Sequence, residues 1–152
     1  MIVYFLRHAE AEDRDGNDHV RRLTARGLEQ AAKVGKFLGR VGIRPDLILT
    51  SPVVRARQTA EIVAKATGVD LVEERWLACG MEPAACIREL GAYSTKESVM
   101  LVGHEPDFSV VIAALIGHRD ADVVKVRKAS LTAVELGGGC GQLQFLVPAR
   151  LM

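Results

Sequence analysis

The sequence lacks any imbalance of charge. Twenty Lys+Arg stand against nineteen Asp+Glu, a formal net charge of +1, and no block of like charges interrupts the chain. Binding nucleic acid through bulk electrostatics requires a concentrated basic surface from which counterions are released, so no nucleic-acid partner is expected. Cysteine is scarce. Cys79, Cys86 and Cys140 are odd in number and form no C-x-x-C pair, which excludes a full disulfide framework and a cysteine zinc site and points to a reducing compartment. No apolar run approaches the roughly 20 residues that cross a bilayer. The opening run, Ile2 to Leu6, has no basic segment before it and no small-residue cleavage site after it, so it does not read as a secretion signal. Repeats, linkers and low-complexity tracts are also missing. The expectation is a cytoplasmic protein with no membrane partner.

What is present is 152 residues, 49% of them hydrophobic, enough for a single domain spanning 1–152 that buries roughly two-thirds of its unfolded surface without staples. Strand-length apolar runs alternate with longer stretches of helical period, the pattern of a sheet with crossover helices. Ile2 to Leu6 is continuously apolar, as a strand buried on both faces should be. The spacing predicts a helix over Thr24–Gly39, capped by Thr24, stopped by Gly42, with Leu28, Ala31, Ala32, Gly35 and Leu38 on its core face. Leu47 to Thr50 is a second strand, and Ser51-Pro52 reads as the start of a helix with Val53, Ala56, Ala60 and Val63 facing inward. Further elements are a strand over 69–72, a helix over 84–90, a strand over 98–102, and a helix from Pro106 whose inner face is Val110, Ala113, Ala114 and Gly117. Leu131–Leu136 and Gln142–Val147 flank GGGCG as an antiparallel hairpin. The predicted fold is α/β and three-layered, a mostly parallel sheet with helices on both faces and this hairpin at its edge.

Asp13, Asp15, Gly16, Asn17 and Asp18 form a polar loop that invites a calcium reading. The glycine is misplaced for a twelve-residue calcium loop and the closing Glu is absent, so no metal and no cofactor is expected there or elsewhere.

In open sheets ligands sit beyond the carboxyl ends of the strands. The first strand runs into Arg7 and His8, the second into a helix with Arg55 in its first turn, and the strand over 98–102 into His104 just before a helix start. Brought together, two guanidinium forks, two imidazoles and helix-start amides describe a site for a tetrahedral dianion. Taken singly, each residue has a plainer reading as a surface ion pair or a hydrogen-bonded structural histidine.

The conjunction resembles a known family. Leu6-Arg7-His8-Ala9-Glu10, Leu23-Thr24 with Gly27, Thr50-Ser51-Pro52 with Arg55, Ala56 and Thr59, and Val102-Gly103-His104 with Pro106 are similar to the landmarks of the histidine phosphatase superfamily, which has the phosphoglycerate mutase-like fold. The short chain and Val20-Arg21-Arg22-Leu23-Thr24 are most similar to the SixA-type phosphohistidine phosphatases. The resemblance implies that His8 is a nucleophile passing through a phosphohistidine intermediate and that Arg7, Arg55 and His104 hold the phosphoryl group. Arg21 occupies the place of an arginine that reaches the phosphate in those relatives. Lys128 either faces the site or guards a sheet edge against pairing. Relatives that cleave alcohol phosphates use a carboxyl acid, for which Glu82 and Glu10 are the candidates. Glu82 can equally serve the dipole at a helix start. Ala9 departs from the pattern, which has glycine there, and is tolerated provided residue 9 needs no positive φ. The implied substrate is a phosphohistidine on a protein or another phosphomonoester. The alternatives are a phosphatase or mutase for a small sugar-phosphate-like metabolite, and a module that binds phosphate without cleaving it.

Overall fold

The computed structural model describes residues 1–13 and 18–152; Asp15, Gly16 and Asn17 of the calcium reading lie outside them. The elements in chain order are β1 (Ile2–Arg7), α1 (Ala25–Val41), β2 (Leu47–Thr50), α2 (Val54–Thr67), β3 (Leu71–Glu73), α3 (Pro83–Leu90), β4 (Ser98–Gly103), α4 (Asp107–Leu115), β5 (Leu131–Glu135) and β6 (Gln142–Val147), joined by short 3-10 turns. The strands form one sheet in the order β3-β2-β4-β1-β5-β6. β1, β2, β3 and β4 run parallel, and β5 and β6 pair antiparallel at one side.

Alternation along each strand sends successive side chains to opposite faces, and in this sheet both faces are apolar. Tyr4, Leu6, Ile48, Met100 and Val102 pack against Ala31, Val34 and Leu38 of α1 and Ala56, Ala60 and Val63 of α2. Val3, Phe5, Leu49, Val99 and Leu101 pack against Cys86 and Leu90 of α3 and Phe108, Val111, Ile112 and Leu115 of α4. Phe5 and Phe108 meet edge to face with centroids 5.2 Å apart, an arrangement worth about 0.5–1.5 kcal/mol beyond the area it buries. Phe108 reaches under β4 because residue 103 is glycine: a Cβ there would lie 2.8 Å from the ring.

Several expected boundaries and faces move. Helix α2 begins at Val54, because Pro52 and Val53 form the bend that leads into it and Ser51 Oγ accepts from the Val53 N–H. β3 covers Leu71–Glu73, since only those residues pair with β2. Leu28 is exposed and Val34 takes its expected place in the core. On α4 the inner stripe is Phe108, Val111, Ile112 and Leu115, while Val110 and Ala114 face solvent; the helix is apolar nearly all round, so its sequence carries little contrast to orient it. Lys128 precedes β5, which lies between β1 and β6, so it guards no sheet edge.

The N-terminus of α1 clasps the segment after β1. Thr24 Oγ1 accepts from the Gly27 N–H at 3.0 Å and donates to Glu10 Oε1 at 3.1 Å, and the Thr24 N–H donates to the Glu10 carbonyl. A Cβ on Gly27 would stand 1.9 Å from that carbonyl oxygen. Gly27→Ala must therefore push the backbone beside His8 away from the helix, and overpacking of this kind costs about 2–3 kcal/mol or more. Urea unfolding checks this; an unchanged midpoint would mean that Glu10 and α1 are not in contact.

Candidate active site

The parallel register of β1 and β4 sets Arg7 opposite Gly103. The next residue on each strand is therefore a histidine, and the His8 N–H donates to the Gly103 carbonyl at 3.0 Å. The two rings stand with centroids 5.4 Å apart. On the other side of β4, Thr50 is opposite Val102, so the chain leaving β2 enters the same place and the first turn of α2 supplies Arg55. His8, Arg55 and His104 are 6%, 3% and 2% exposed.

The hydrogen bonds define the state of His8. Its Nδ1 is 2.8 Å from the Ala9 carbonyl, which can only accept, so Nδ1 carries the proton. Nε2 is then an acceptor, and it receives the Arg55 Nε–H at 3.1 Å. Burial pushes the His8 pKa down to about 3, with the positive charges of His104, Arg55 and Arg7 acting in the same direction against the Ala9 hydrogen bond. His8 is a neutral imidazole at physiological pH, aimed by a backbone carbonyl. Residue 9 has no positive φ, and its N–H is taken by Thr59 Oγ1 at 3.1 Å, so alanine fits where the family pattern has glycine.

Arg55 also donates to Asp18, from Nη1 to the backbone oxygen at 2.7 Å and from Nη2 to Oδ2 at 3.0 Å. The other carboxylate oxygen of Asp18 pairs with Arg21 at 2.6 Å. Asp18 thus joins two guanidinium groups beside His8. Arg21 also donates to the Glu12 carbonyl, whereas neighbouring Arg22 is exposed. Arg7 is held from behind by the Val126 carbonyl, which accepts from Nη1 at 2.9 Å. His104 Nε2 lies 2.8 Å from Ser51 Oγ, and burial, reinforced by Arg55 and Arg7 and opposed by Asp18, lowers its pKa to about 4. His104 is therefore neutral in the resting protein at physiological pH.

Among the described residues, the buried side-chain polar atoms without a hydrogen-bond partner are Arg7 Nε, Arg21 Nε, His104 Nδ1 and Thr132 Oγ1. Three of these four belong to the candidate site. Native structures pair nearly all such groups, so a cluster of unpaired N–H functions around one imidazole fits an oxyanion with several acceptor oxygens.

The other sequence candidates are placed elsewhere. The Glu10 carboxylate is committed to Thr24 and to Arg26 at 3.7 Å. Glu82 is exposed at the N-cap of α3, where its side chain makes no capping bond. Lys128 is exposed and lies outside the lining of a cavity of about 480 Å³, to which Arg7, Glu105, Ser109, Lys125 and Arg127 contribute. Glu105 is bonded by the Ser109 N–H and Oγ–H, and burial raises its pKa. Sequence reading passed over Asp18, Ser51 and Glu105. Asp18 was submerged in a polar loop and Ser51 looked like a helix cap; only the adjacency of Glu105 to His104 could have drawn notice to it. Cys79, also unassigned, has its Sγ 3.7 Å from Arg55 Nη2.

Fold and site together define a phosphate-handling α/β enzyme built around an imidazole. Residues 3–78 match the model of the histidine phosphatase superfamily, branch 1. The phosphohistidine phosphatase SixA homolog of Haemophilus influenzae is 30% identical over 131 residues, 79% of this chain and 80% of that protein. A crystal structure from Agrobacterium tumefaciens assigned to phosphohistidine phosphatase SixA is 27% identical and superposes with a TM-score of 0.83, covering 97% of each chain. The α-ribazole phosphatase of Shigella flexneri has the same fold, with a TM-score of 0.82 at 22% identity over 98% of this chain and 97% of that one. The chain belongs to the histidine phosphatase superfamily, and it is a phosphatase, a phosphoric monoester hydrolase.

The depressed histidines link the site to stability. The unfolded chain protonates both rings near pH 6.5, the folded chain near 3 and 4. Unfolding therefore takes up protons below pH 6.5, and the stability present above that pH is lost as pH falls toward 4. Urea titrations at pH 7, 6 and 5 should show a steady decline corresponding to about one to two protons, and His8→Gln should remove part of the slope. A flat profile would mean the histidines are solvated.

Proposed function

We propose that the chain removes the phosphoryl group from a phosphohistidine or another phosphomonoester by two displacements at His8. The observation that carries this reading is the neutral His8 imidazole, aimed by Ala9, together with the Arg7 Nε, Arg21 Nε and His104 Nδ1 groups of the site, which have no partner among the described residues. In the first step Nε2 releases its bond from Arg55 and attacks phosphorus, and the bond from phosphorus to the leaving group breaks. In the second, water attacks the phosphohistidine, yielding inorganic phosphate and restoring the imidazole, with the water's proton passing to solvent. The transferring group is loosely bonded at the transition state, so what matters is opposing the charge on its oxygens. Arg7, Arg55, Arg21 and His104 are assigned that task. Arg21 and Arg55 exchange their bonds to the Asp18 carboxylate for bonds to phosphoryl oxygens.

Support for phosphohistidine as the substrate comes from the carboxyl groups. An alkoxide needs a proton in the transition state, whereas an imidazole can leave neutral. Glu10 is tied to α1 and Glu82 is exposed, so neither is a placed acid, and Lys128 is assigned no role. The cavity beyond Arg7, with Lys125 and Arg127 at its wall, offers room for the body of a protein-borne substrate. A small phosphomonoester is the second reading, favoured by Glu105, a half-buried carboxyl with raised pKa lining the same cavity.

A panel of phosphohistidine, phosphoserine and small-metabolite esters separates these readings. The first predicts its highest kcat/KM on phosphohistidine and little effect of Glu105→Gln or Glu82→Gln; the second predicts a high rate on a small ester and a loss of about 100-fold for Glu105→Gln. Quenching during turnover should trap an acid-labile, base-stable phosphoryl group on His8. His8→Ala should lose at least about a thousandfold in kcat, and retained activity in that variant would refute the mechanism.

A further inference from the structure

Ser51 is fully buried where β2 gives way to α2. Among the described residues, two groups meet its hydroxyl: the Val53 backbone N–H at 3.2 Å and His104 Nε2 at 2.8 Å. A backbone N–H can only donate, so Oγ is an acceptor in the first contact. The hydroxyl has one proton, and among the described residues the one group in reach that could accept it is His104 Nε2. The opposite assignment, with Nε2–H donating to Oγ, strands the serine proton and also leaves Nδ1 as an unpaired buried acceptor. A cationic ring strands the serine proton as well. The assignment with Ser51 as donor leaves a single unpaired function, the N–H at Nδ1, and buried unpaired groups are what structures avoid.

We propose that Ser51 is a positioning residue that fixes His104 in its Nδ1-protonated tautomer, so that the ring serves as a neutral donor to a phosphoryl oxygen. This rests on the phosphatase reading above and adds to it how His104 acts. The ring neither gives nor takes a proton during the reaction. Its Nδ1–H is buried, charge-neutral and without a partner among the described residues, so its bond strengthens as negative charge grows on the oxygen it meets. The low pKa of His104 agrees with a neutral ring. Register makes the pairing: Thr50 opposite Val102 brings Ser51 alongside the end of β4, and the Ser51 N–H donates to the Val102 carbonyl at 3.0 Å.

Long-range ¹H–¹⁵N spectra of the full chain at pH 7, with His104 assigned by its loss in His104→Gln, read the tautomer directly. The expected result is a protonated Nδ1 and an acceptor Nε2. Ser51→Ala should mix the tautomers and lower kcat/KM on p-nitrophenyl phosphate about tenfold, and Ser51→Thr, which keeps the hydroxyl, should restore both. An Nε2-protonated ring in the unmodified chain overturns the proposal, as does an unchanged tautomer in Ser51→Ala. If Ser51→Ala does not fold, the unmodified chain decides alone. The spectrum is read on the resting protein, so a chain without phosphatase activity would refute the functional reading while leaving the tautomer result to stand by itself.

Discussion

The parallel register between β1 and β4 is the constraint on which the site depends. Pairing Arg7 with Gly103 makes two histidines, far apart in sequence, the next residues on neighbouring strands. Backbone hydrogen bonding is discrete, and a shift of one residue would turn every side chain of a strand to the opposite face. With Phe5 and Leu6 committed to different cores, that shift is closed. The same logic carries across β4 to β2, where the pairing of Thr50 with Val102 delivers Ser51 and then Arg55. The Ala129 N–H, shared between the Arg7 and His8 carbonyls, ties the other side of β1 down through a residue held at φ 54°. An alanine with this backbone is unusual, and it sits where the chain must turn from Val126, the partner of Arg7, into β5.

Burying imidazoles among guanidinium groups is electrostatically costly, and the arrangement limits the cost in two ways. Both histidines are neutral, which removes two of the positive charges that would otherwise crowd the site. Asp18 supplies a countercharge shared by Arg21 and Arg55. A carboxylate whose two oxygens meet two different arginines satisfies donors of both in the resting protein. For the mechanism proposed above, the neutral state of His8 also answers the demand of nucleophilic attack, since only an unprotonated Nε2 has electrons to give.

Much of this was legible in the chain. The opening strand, the Thr24 cap, the Gly42 stop and the closing hairpin follow from composition, capping chemistry and alternation, and the structure has all four. The α4 face was not legible, because a helix apolar on every side has no contrast to orient it. The start of α2 slipped by two residues because Ser-Pro is a helix-start signal and also a good bend, and here Ser51 is occupied by His104. Arg7, His8, Arg55 and His104 stood out from their positions at predicted element ends. Asp18, Ser51 and Glu105 did not, since each of those residue types is ordinary in a loop or cap and acquires meaning only from its neighbours.

The sequence by itself determined the alternation of strands and helices, the membership of the histidine phosphatase family, and the supply of two imidazoles and several guanidinium groups, all of which are properties of residue type and local order. Tertiary structure decided the rest. It committed Glu10 to a helix start, left Glu82 exposed, placed Lys125 and Arg127 rather than Lys128 in the cavity lining, and set the proton on His8 Nδ1. These are outcomes of burial and of hydrogen-bond partners drawn from distant segments, and the state of a titratable group depends on surroundings that exist only once the chain has folded.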